Sequence, residues 1–300
     1  FYRNEIKPLR ELTPEVPITT NLMGTFPKLD YWRLAPHLDV VSWDSYPPWH
    51  GPGGDYDLAC NIAFSHDLNR SLKGGQPFML MESTPSMTNW MPLAKRKRPG
   101  MHLLASLQAV AHGSDTVQYF QWRKSRGSCE KFHGAVVDHV GHEHTRVFAD
   151  VAEVGRTLTK LDAVVGTTVP AAAAVVYDWE NAWAIEEMKA LGNDVRRYKE
   201  TCVSHYKALW RRGIAADIID QTQDPASYKL LILPMLHLLR PGMAAKIREF
   251  VSSGGTAVMT YWSGMVNEND LCFLGGFPGE GLREVFGIWA EETDAIYSEE

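Results

Sequence analysis

Four apolar segments in the first half of the chain end in polar or aromatic side chains, and this recurrence constrains the fold most. The segments are "VPITTNLMG" (16–24), "LDVVSWDSYP" (38–47), "PFMLME" (77–82) and "DTVQYFQW" (115–122). We place their ends near residues 21, 46, 82 and 122, at intervals of roughly 25 to 40 residues. Helix candidates lie at 29–36, 56–73, 100–112 and 143–160. This alternation predicts βα units with a parallel sheet.

The polar ends of these strands predict where the chemistry of the molecule lies. The segments are apolar almost throughout, as expected of strands buried on both faces. They end on Asn21, on Asp44 and Tyr46, on Glu82, and on Gln121 and Trp122. A (β/α)8 TIM barrel keeps its catalytic residues at such C-terminal strand ends. Four βα units make half a barrel, so residues 1–161 are expected to form the C-terminal half, with the other half upstream of residue 1.

A second α/β pattern begins at about residue 162. Strand candidates lie at 168–181, 215–220, 228–236 and 256–262, and helix candidates lie at 195–212 and 240–255. This order predicts a doubly wound α/β domain over residues 162–300. The domain is expected to be cut short, because the last residues, "AIYSEE", look like the start of another strand.

Composition argues against several classes of protein. The 300 residues carry a net charge of −6, so no general attraction to nucleic acid or anionic membranes is expected. The basic run at 95–98 is interpreted as a solvated loop. The four cysteines are far apart in sequence and form no CxxC motif, which argues against a disulfide framework or a zinc site and favours reduced thiols in the cytoplasm. No apolar run reaches the ~18 residues of a membrane helix.

Glu82 is the first candidate catalytic residue. Four apolar residues lead into it, so the carboxylate stands at the end of a buried strand, where it needs partners or a chemical role. Capping the next helix or facing solvent is the alternative. Trp90, Tyr46 and Phe120 are near it in the sequence pattern. Aromatic rings beside a carboxylate suit sugars, whose ring faces are apolar and whose hydroxyl groups need acceptors.

Two further polar clusters follow the fourth strand. In "CEKFHG" (129–134), Glu130 and His133 are spaced so that one helical turn places them on one side; a surface loop pair is the alternative. "DHVGHEH" (138–144) is rich in histidine but lacks the HExxH spacing. We predict no metal site and no cofactor.

The sequence resembles the β-galactosidases of glycoside hydrolase family 42 along essentially its whole length. The stretches that carry the resemblance are "PITTNLMG", "DVVSWDSYP", "FMLMEST", "NWMP", "QYFQWRKSRGSCEKFHGAVVDH", "YDWENAWA" and "LGGFPGEGLREVFGIWAEETDA". The resemblance implies a retaining glycosidase that releases terminal β-D-galactose, with one Glu as acid/base after the fourth barrel strand and another as nucleophile after the seventh. The four strands here would then be strands 5 to 8.

The resemblance also implies roles for individual residues. Glu82 in "MEST" matches the nucleophile, and Tyr46 in "DSYP" matches a tyrosine that orients it. The positions that match the galactose-binding subsite are Trp90, Phe120, Glu130 and His133. An Asn-Glu pair carrying the acid/base does not end any strand here, so that residue is expected upstream and residues 1–300 alone are expected to be inactive. An α-L-arabinopyranosidase of the same layout, or a non-catalytic sugar-binding or oligomerisation protein, remains an alternative.

The second half resembles the family's trimerisation domain, whose fold is similar to class I glutamine amidotransferases. Those enzymes require a Cys nucleophile on a sharp strand-to-helix turn. No Cys stands at such a turn here, and Cys202 falls inside a helix candidate. The resemblance therefore implies a homotrimer and no amidotransferase activity.

Overall fold

The computed structural model of the protein describes residues 1–190, 193 and 196–295. The chain divides into two compact units, Phe1–Phe26 with Tyr31–Val169, and Pro27–Asp30 with Pro170–Glu300. Residue 195, where one helix was predicted to start, lies outside the described residues, as do residues 296–300 of the predicted final strand.

The first unit contains a four-stranded parallel sheet whose strands follow one another in sequence order. Its strands are β1 (Asn21–Leu22), β2 (Ser42–Asp44), β3 (Phe78–Glu82) and β4 (Ser114–Val117). Each strand pairs in parallel with the next. This confirms the predicted βα repeat, because parallel neighbours require a crossover between them.

Helices connect and flank these strands. They are α1 (Tyr2–Leu12), α2 (Tyr31–Leu34), α3 (Asp55–Ser71), α4 (Met101–Ala111) and α5 (Arg146–Leu158), with 3-10 turns at Ala35–His37 and Asp162–Val164. The helix predicted at 100–112 is confirmed as α4, and Gly113, with φ of +99°, lies just past its end. Thr145 caps α5 by accepting a hydrogen bond from the backbone N–H of Phe148.

Two predicted strand ends are displaced, for a physical reason that concerns the site. β1 starts rather than ends at Asn21, and β4 ends at Val117 rather than near residue 122. The N–H of Gln118 still donates to the carbonyl of Leu80 on β3, but past Gln118 the backbone bonds to loops instead. The N–H of Phe120 donates to the carbonyl of Ser83, and the N–H of Val136 donates to the carbonyl of Gln121. The aromatic residues after β4 therefore lie on a loop fixed to the loop after β3.

The second unit contains another parallel sheet, in the order β6-β5-β7-β8. Its strands are β5 (Ala173–Val176), β6 (Ala216–Ile219), β7 (Leu230–Leu233) and β8 (Thr256–Met259), and its helices are α6 (Trp179–Glu187), α7 (Tyr198–Trp210), α8 (Met243–Ser252) and α9 (Leu282–Phe286). The first strand in sequence lies inside the sheet, as doubly wound folds require.

The sequence pattern missed α6 because residues 168–181 were interpreted as one strand. The strand stops at Val176, and Asp178 caps the new helix by accepting a hydrogen bond from the N–H of Asn181. Asp178 is fully buried, and its Oδ2 also forms an ion pair with the guanidinium of Arg240 at 3.2 Å. The Asp178 cap therefore starts a helix within residues 168–181, a segment whose composition favours a strand.

Candidate active site

A tyrosine and a carboxylate meet at the C-terminal ends of β2 and β3. Glu82 is the last residue of β3, and Tyr46 follows the end of β2. The Tyr46 hydroxyl donates a hydrogen bond to Glu82 Oε2 over 2.7 Å. The backbone supports this pair, since the N–H of Ser45 donates to the carbonyl of Glu82 at 2.8 Å. One carboxylate oxygen is thus held in a fixed direction.

A second carboxylate, Asp44, lies across the ladder from Glu82. The two residues are register partners between β2 and β3. Asn21, on β1, donates from Nδ2 to Asp44 Oδ2 at 2.6 Å. The sequence pattern placed Asp44 at a strand end without giving it a role. The signal that could have found it is its position, since the ends of adjacent parallel strands meet at one edge.

Burial and charge change the proton affinities at this edge. Burial, and then the neighbouring Glu82 charge, raise the pKa of Asp44 to about 6, although the Asn21 hydrogen bond opposes them. Burial also raises the pKa of Tyr46 far above its usual value, with the hydrogen bond to Glu82 as the second cause. Tyr46 therefore remains a protonated donor at any working pH.

Aromatic rings enclose the Tyr46–Glu82 pair. The rings of Trp90 and His133 meet the Tyr46 ring edge-on, with centroid distances of 5.7 and 5.6 Å. Phe120 meets His133 edge-on at 5.0 Å. Such arrangements are favoured because ring edges are positive and ring faces negative. Five of the six predicted site residues are therefore linked by direct contacts.

The sixth predicted residue, Glu130, lies on the loop that carries His133. The His133 N–H donates to the Glu130 carbonyl at 2.9 Å, and the Glu130 charge contributes to the raised pKa of Tyr46. Trp90 is 54% exposed, whereas His133 is 1% exposed. His133 Nδ1 faces the carbonyl of Gly134 at 3.1 Å, and because a carbonyl can only accept, Nδ1 donates this hydrogen bond.

Gly134 allows the two site loops to approach closely. A Cβ at this position would lie 2.4 Å from Thr84 Oγ1 and 2.9 Å from the backbone N and O of Met87. The Gly134 N–H donates to the Met87 carbonyl at 2.8 Å, and Asn89 Nδ2 donates to the Cys129 carbonyl at 2.6 Å. These bonds join the loop after β3, which bears Trp90, to the loop that bears Glu130 and His133.

The other motifs lie apart from this cluster. His139, His142, Glu143 and His144 are exposed, and within the described residues no group of three or more His, Cys, Asp or Glu side chains is placed to hold a metal ion. The run at 95–98 is only partly the solvated loop that was predicted. Lys97 is 5% exposed, and its Nζ donates to the Thr84 carbonyl while its backbone N–H donates to the Ser86 carbonyl, both in the loop after β3.

None of the helices in the described part of the chain has the length and apolar character needed to span a bilayer. The four cysteines are free thiols, and two of them, Cys60 and Cys202, are buried.

Parallel βα units whose strand ends present a carboxylate, a tyrosine and aromatic rings define a class, the carbohydrate-active TIM-barrel-type proteins. A family model described as "Beta-galactosidase" matches residues 1–161, and a second, described as "Beta-galactosidase trimerisation domain", matches residues 171–300. The chain belongs to the β-galactosidase family of glycoside hydrolase family 42, and it combines a TIM-barrel-type part with a trimerisation domain.

Similar proteins cover the whole chain at high identity. Beta-galactosidase Pbg of Clostridium perfringens is 58% identical over 303 residues, which span 100% of this chain and 44% of that protein. Beta-galactosidase BglY of Alicyclobacillus acidocaldarius is 58% identical over 300 residues, spanning 100% of this chain and 43% of the relative.

The chain is also similar in structure to solved β-galactosidases. Gan42B, a GH42 β-galactosidase from G. stearothermophilus, superposes with a TM-score of 0.97 at 53% identity, covering 100% of this chain and 44% of that one. A β-galactosidase from Rahnella sp. R3 gives 0.96 at 56% identity, covering 99% and 43%. The chain therefore spans less than half the length of the proteins it matches.

Proposed function

We propose that the protein containing these residues is a retaining glycosidase that releases terminal β-D-galactose from β-galactosides, with Glu82 as nucleophile. The observation that carries the proposal is the Tyr46–Glu82 hydrogen bond, at the end of a parallel strand and among aromatic rings. The relatives named above are called β-galactosidases, which supports galactose as the sugar and the β-galactosidic bond as the bond that is cleaved.

The reaction proceeds by two displacements. Ionised Glu82 attacks the anomeric carbon while the bond to the leaving oxygen breaks and an upstream acid protonates that oxygen. Water then attacks the galactosyl-Glu82 ester, the upstream residue takes the water's proton, and Glu82 leaves as a carboxylate. Retention requires the two carboxyl groups about 5 to 5.5 Å apart, so we propose that residues 1–300 alone do not turn over substrate.

The remaining site residues would hold the sugar. The exposed face of Trp90 and the Phe120 ring offer apolar surfaces for the C–H face of galactose. Glu130 would accept hydrogen bonds from hydroxyl groups, and His133 would accept one through Nε2. The position and chemistry of these residues support the proposed roles. A substrate panel that compares aryl β-D-galactoside with aryl α-L-arabinopyranoside distinguishes the main alternative, because the two sugars differ at C6.

The two units would have separate tasks. Residues 1–161 would supply strands 5 to 8 of the catalytic barrel, and residues 162–300 would drive assembly of a homotrimer. The doubly wound sheet order supports a class I glutamine amidotransferase-like fold for the second part. Amidotransferase chemistry is not proposed, because Met235 occupies the positive-φ turn after β7 while Cys202 is buried inside α7. The free thiols support a cytoplasmic location.

The test is Glu82→Gln in the full-length protein, assayed with 4-nitrophenyl β-D-galactoside. Turnover should fall by on the order of 10³-fold or more, because the amide cannot form the covalent intermediate. Glu153→Gln, at an exposed position on α5, is the matched control and should leave turnover unchanged. Near-normal turnover by the Glu82 variant would reject Glu82 as nucleophile. Absence of any turnover by the wild type, on either glycoside, would favour a non-catalytic sugar-binding protein.

A further inference from the structure

A register shift in the first sheet brings Asp44 beside Glu82. The β2–β3 ladder pairs Trp43 with Leu80, and its next pair is Asp44 with Glu82, so Met81 is passed over. β-bulges of this kind occur next to active sites, where they re-aim a side chain. In regular register Asp44 would lie opposite Met81. The irregularity thus falls at the step that sets the two carboxylates opposite each other.

The hydrogen bonds of Asp44 are incomplete. Its Oδ2 accepts from Asn21, but its Oδ1 is buried and has no partner among the described residues. A buried carboxylate oxygen without a donor destabilises the fold and calls for an explanation. Asp44 is therefore not a structural carboxylate with both oxygens hydrogen-bonded.

The groups that face Asp44 do not neutralise it. Glu82 faces it from β3 and the neutral amide of Asn21 from β1. The hydroxyl groups of Tyr46, from the segment after β2, and of Tyr31, from α2, are near enough for the Asp44 charge to raise their pKa values. No cationic side chain of the described residues forms an ion pair with Asp44. Burial, and to a smaller degree the neighbouring Glu82 charge, raise the pKa of Asp44 to about 6.

We propose that Asp44 is a positioning residue for Glu82, and that full activity requires Asp44 to be ionised. The inference rests on the proposed function. Two like charges repel in the free enzyme, and this repulsion is relieved as the charge of Glu82 passes into its bond to the anomeric carbon. An interaction that disfavours the ground state more than the transition state accelerates the step. Asp44 is proposed to act through Glu82, since its Oδ1 is enclosed by protein and its Oδ2 accepts from Asn21.

The experiment is the pH dependence of kcat/KM for 4-nitrophenyl β-D-galactoside, measured on the full-length protein. The kcat/KM of the wild type should fall about tenfold between about pH 7 and 5, as Asp44 becomes protonated. A change of about tenfold is the size expected when one charge next to Glu82 is lost. Asp44→Asn keeps the shape and the acceptor for Asn21, and it should be about tenfold slower at pH 7 and lack this step.

A second variant tests the same claim without removing the carboxylate. Asn21→Ala deletes the hydrogen bond that lowers the pKa of Asp44, so the step should move to higher pH. Asp39→Asn, at a position that precedes β2 and pairs with Arg10, is the control and should leave the profile unchanged. A step that persists in Asp44→Asn, or that stays in place in Asn21→Ala, overturns the inference. A wild-type protein without turnover would instead overturn the proposed function.

Discussion

Tyr46 acts on Glu82 as a donor that cannot lose its proton. Burial and the Glu82 carboxylate both raise the pKa of Tyr46, so its hydroxyl stays protonated and donates to Glu82 near neutral pH. The bond is 2.7 Å long and charge-assisted, and such bonds are roughly twice as strong as those between neutral groups. The hydroxyl therefore fixes one oxygen of Glu82, and the other oxygen is left for the proposed attack on the anomeric carbon.

Replacing Tyr46 with Phe tests this orienting role. In the full-length protein, kcat should fall by roughly 10- to 100-fold while the thermal midpoint changes little, because the ring contacts with Trp90 and His133 remain. Tyr56→Phe, at an exposed position on α3, serves as the control. Unchanged kcat in Tyr46→Phe would show that the hydrogen bond has no part in catalysis.

The sequence predicted candidate site residues where they stand at the ends of apolar strands. Glu82 and Tyr46 could be predicted because apolar strands lead directly to them. The closeness of Asp44 to Glu82 could not, because it depends on a bulge that skips Met81. A shift of register leaves no trace in hydrophobic periodicity, since it is set by the pairing of two distant segments.

At the scale of elements, the loops after β3 and β4 complete the site. The sequence predicted that residues 115–122 form one continuous strand, but β4 ends at Val117, and past Gln118 the backbone bonds go to loops. Composition alone cannot show this change, because apolar and aromatic residues are favoured both in strands and in ring clusters. The order of the strands, by contrast, followed from the simple alternation of strand and helix.

Gly134→Ala tests whether the close approach of these loops matters. The new methyl group would overlap Thr84 Oγ1 and the Met87 backbone, so the full-length protein should lose about 2 kcal/mol of unfolding free energy, with lower kcat/KM. Gly155→Ala is the matched control, since nothing lies within 4 Å of a Cβ there and alanine favours the helix. Thermal unfolding of both variants gives the comparison. An equally stable Gly134→Ala would contradict the packing argument.

At the scale of the whole molecule, the chain carries two units with separate sheets. The first ends near Val169 and the second begins at Pro170, apart from the short segment Pro27–Asp30. A family model described as a trimerisation domain matches residues 171–300. The sequence predicted both α/β patterns, because each has its own alternation of apolar strands and amphipathic helices.

The proposed assembly can be tested by multi-angle light scattering on the full-length protein. A mass of three chains is expected, unchanged over a tenfold range of concentration. The site variant Glu82→Gln should give the same mass, since its substitution lies in the first unit. A single-chain mass at all concentrations would reject the trimer, without touching the assignment of the nucleophile.

If Glu82 forms the covalent intermediate, a slow substrate should trap the sugar on that residue. A 2-deoxy-2-fluoro-β-D-galactoside with a good leaving group should slow the second displacement and leave the fluorosugar on the full-length enzyme. Peptide mass spectrometry should then find one sugar on the peptide containing "FMLMEST", attached to Glu82. An active enzyme that carries the label on another carboxylate would contradict the account.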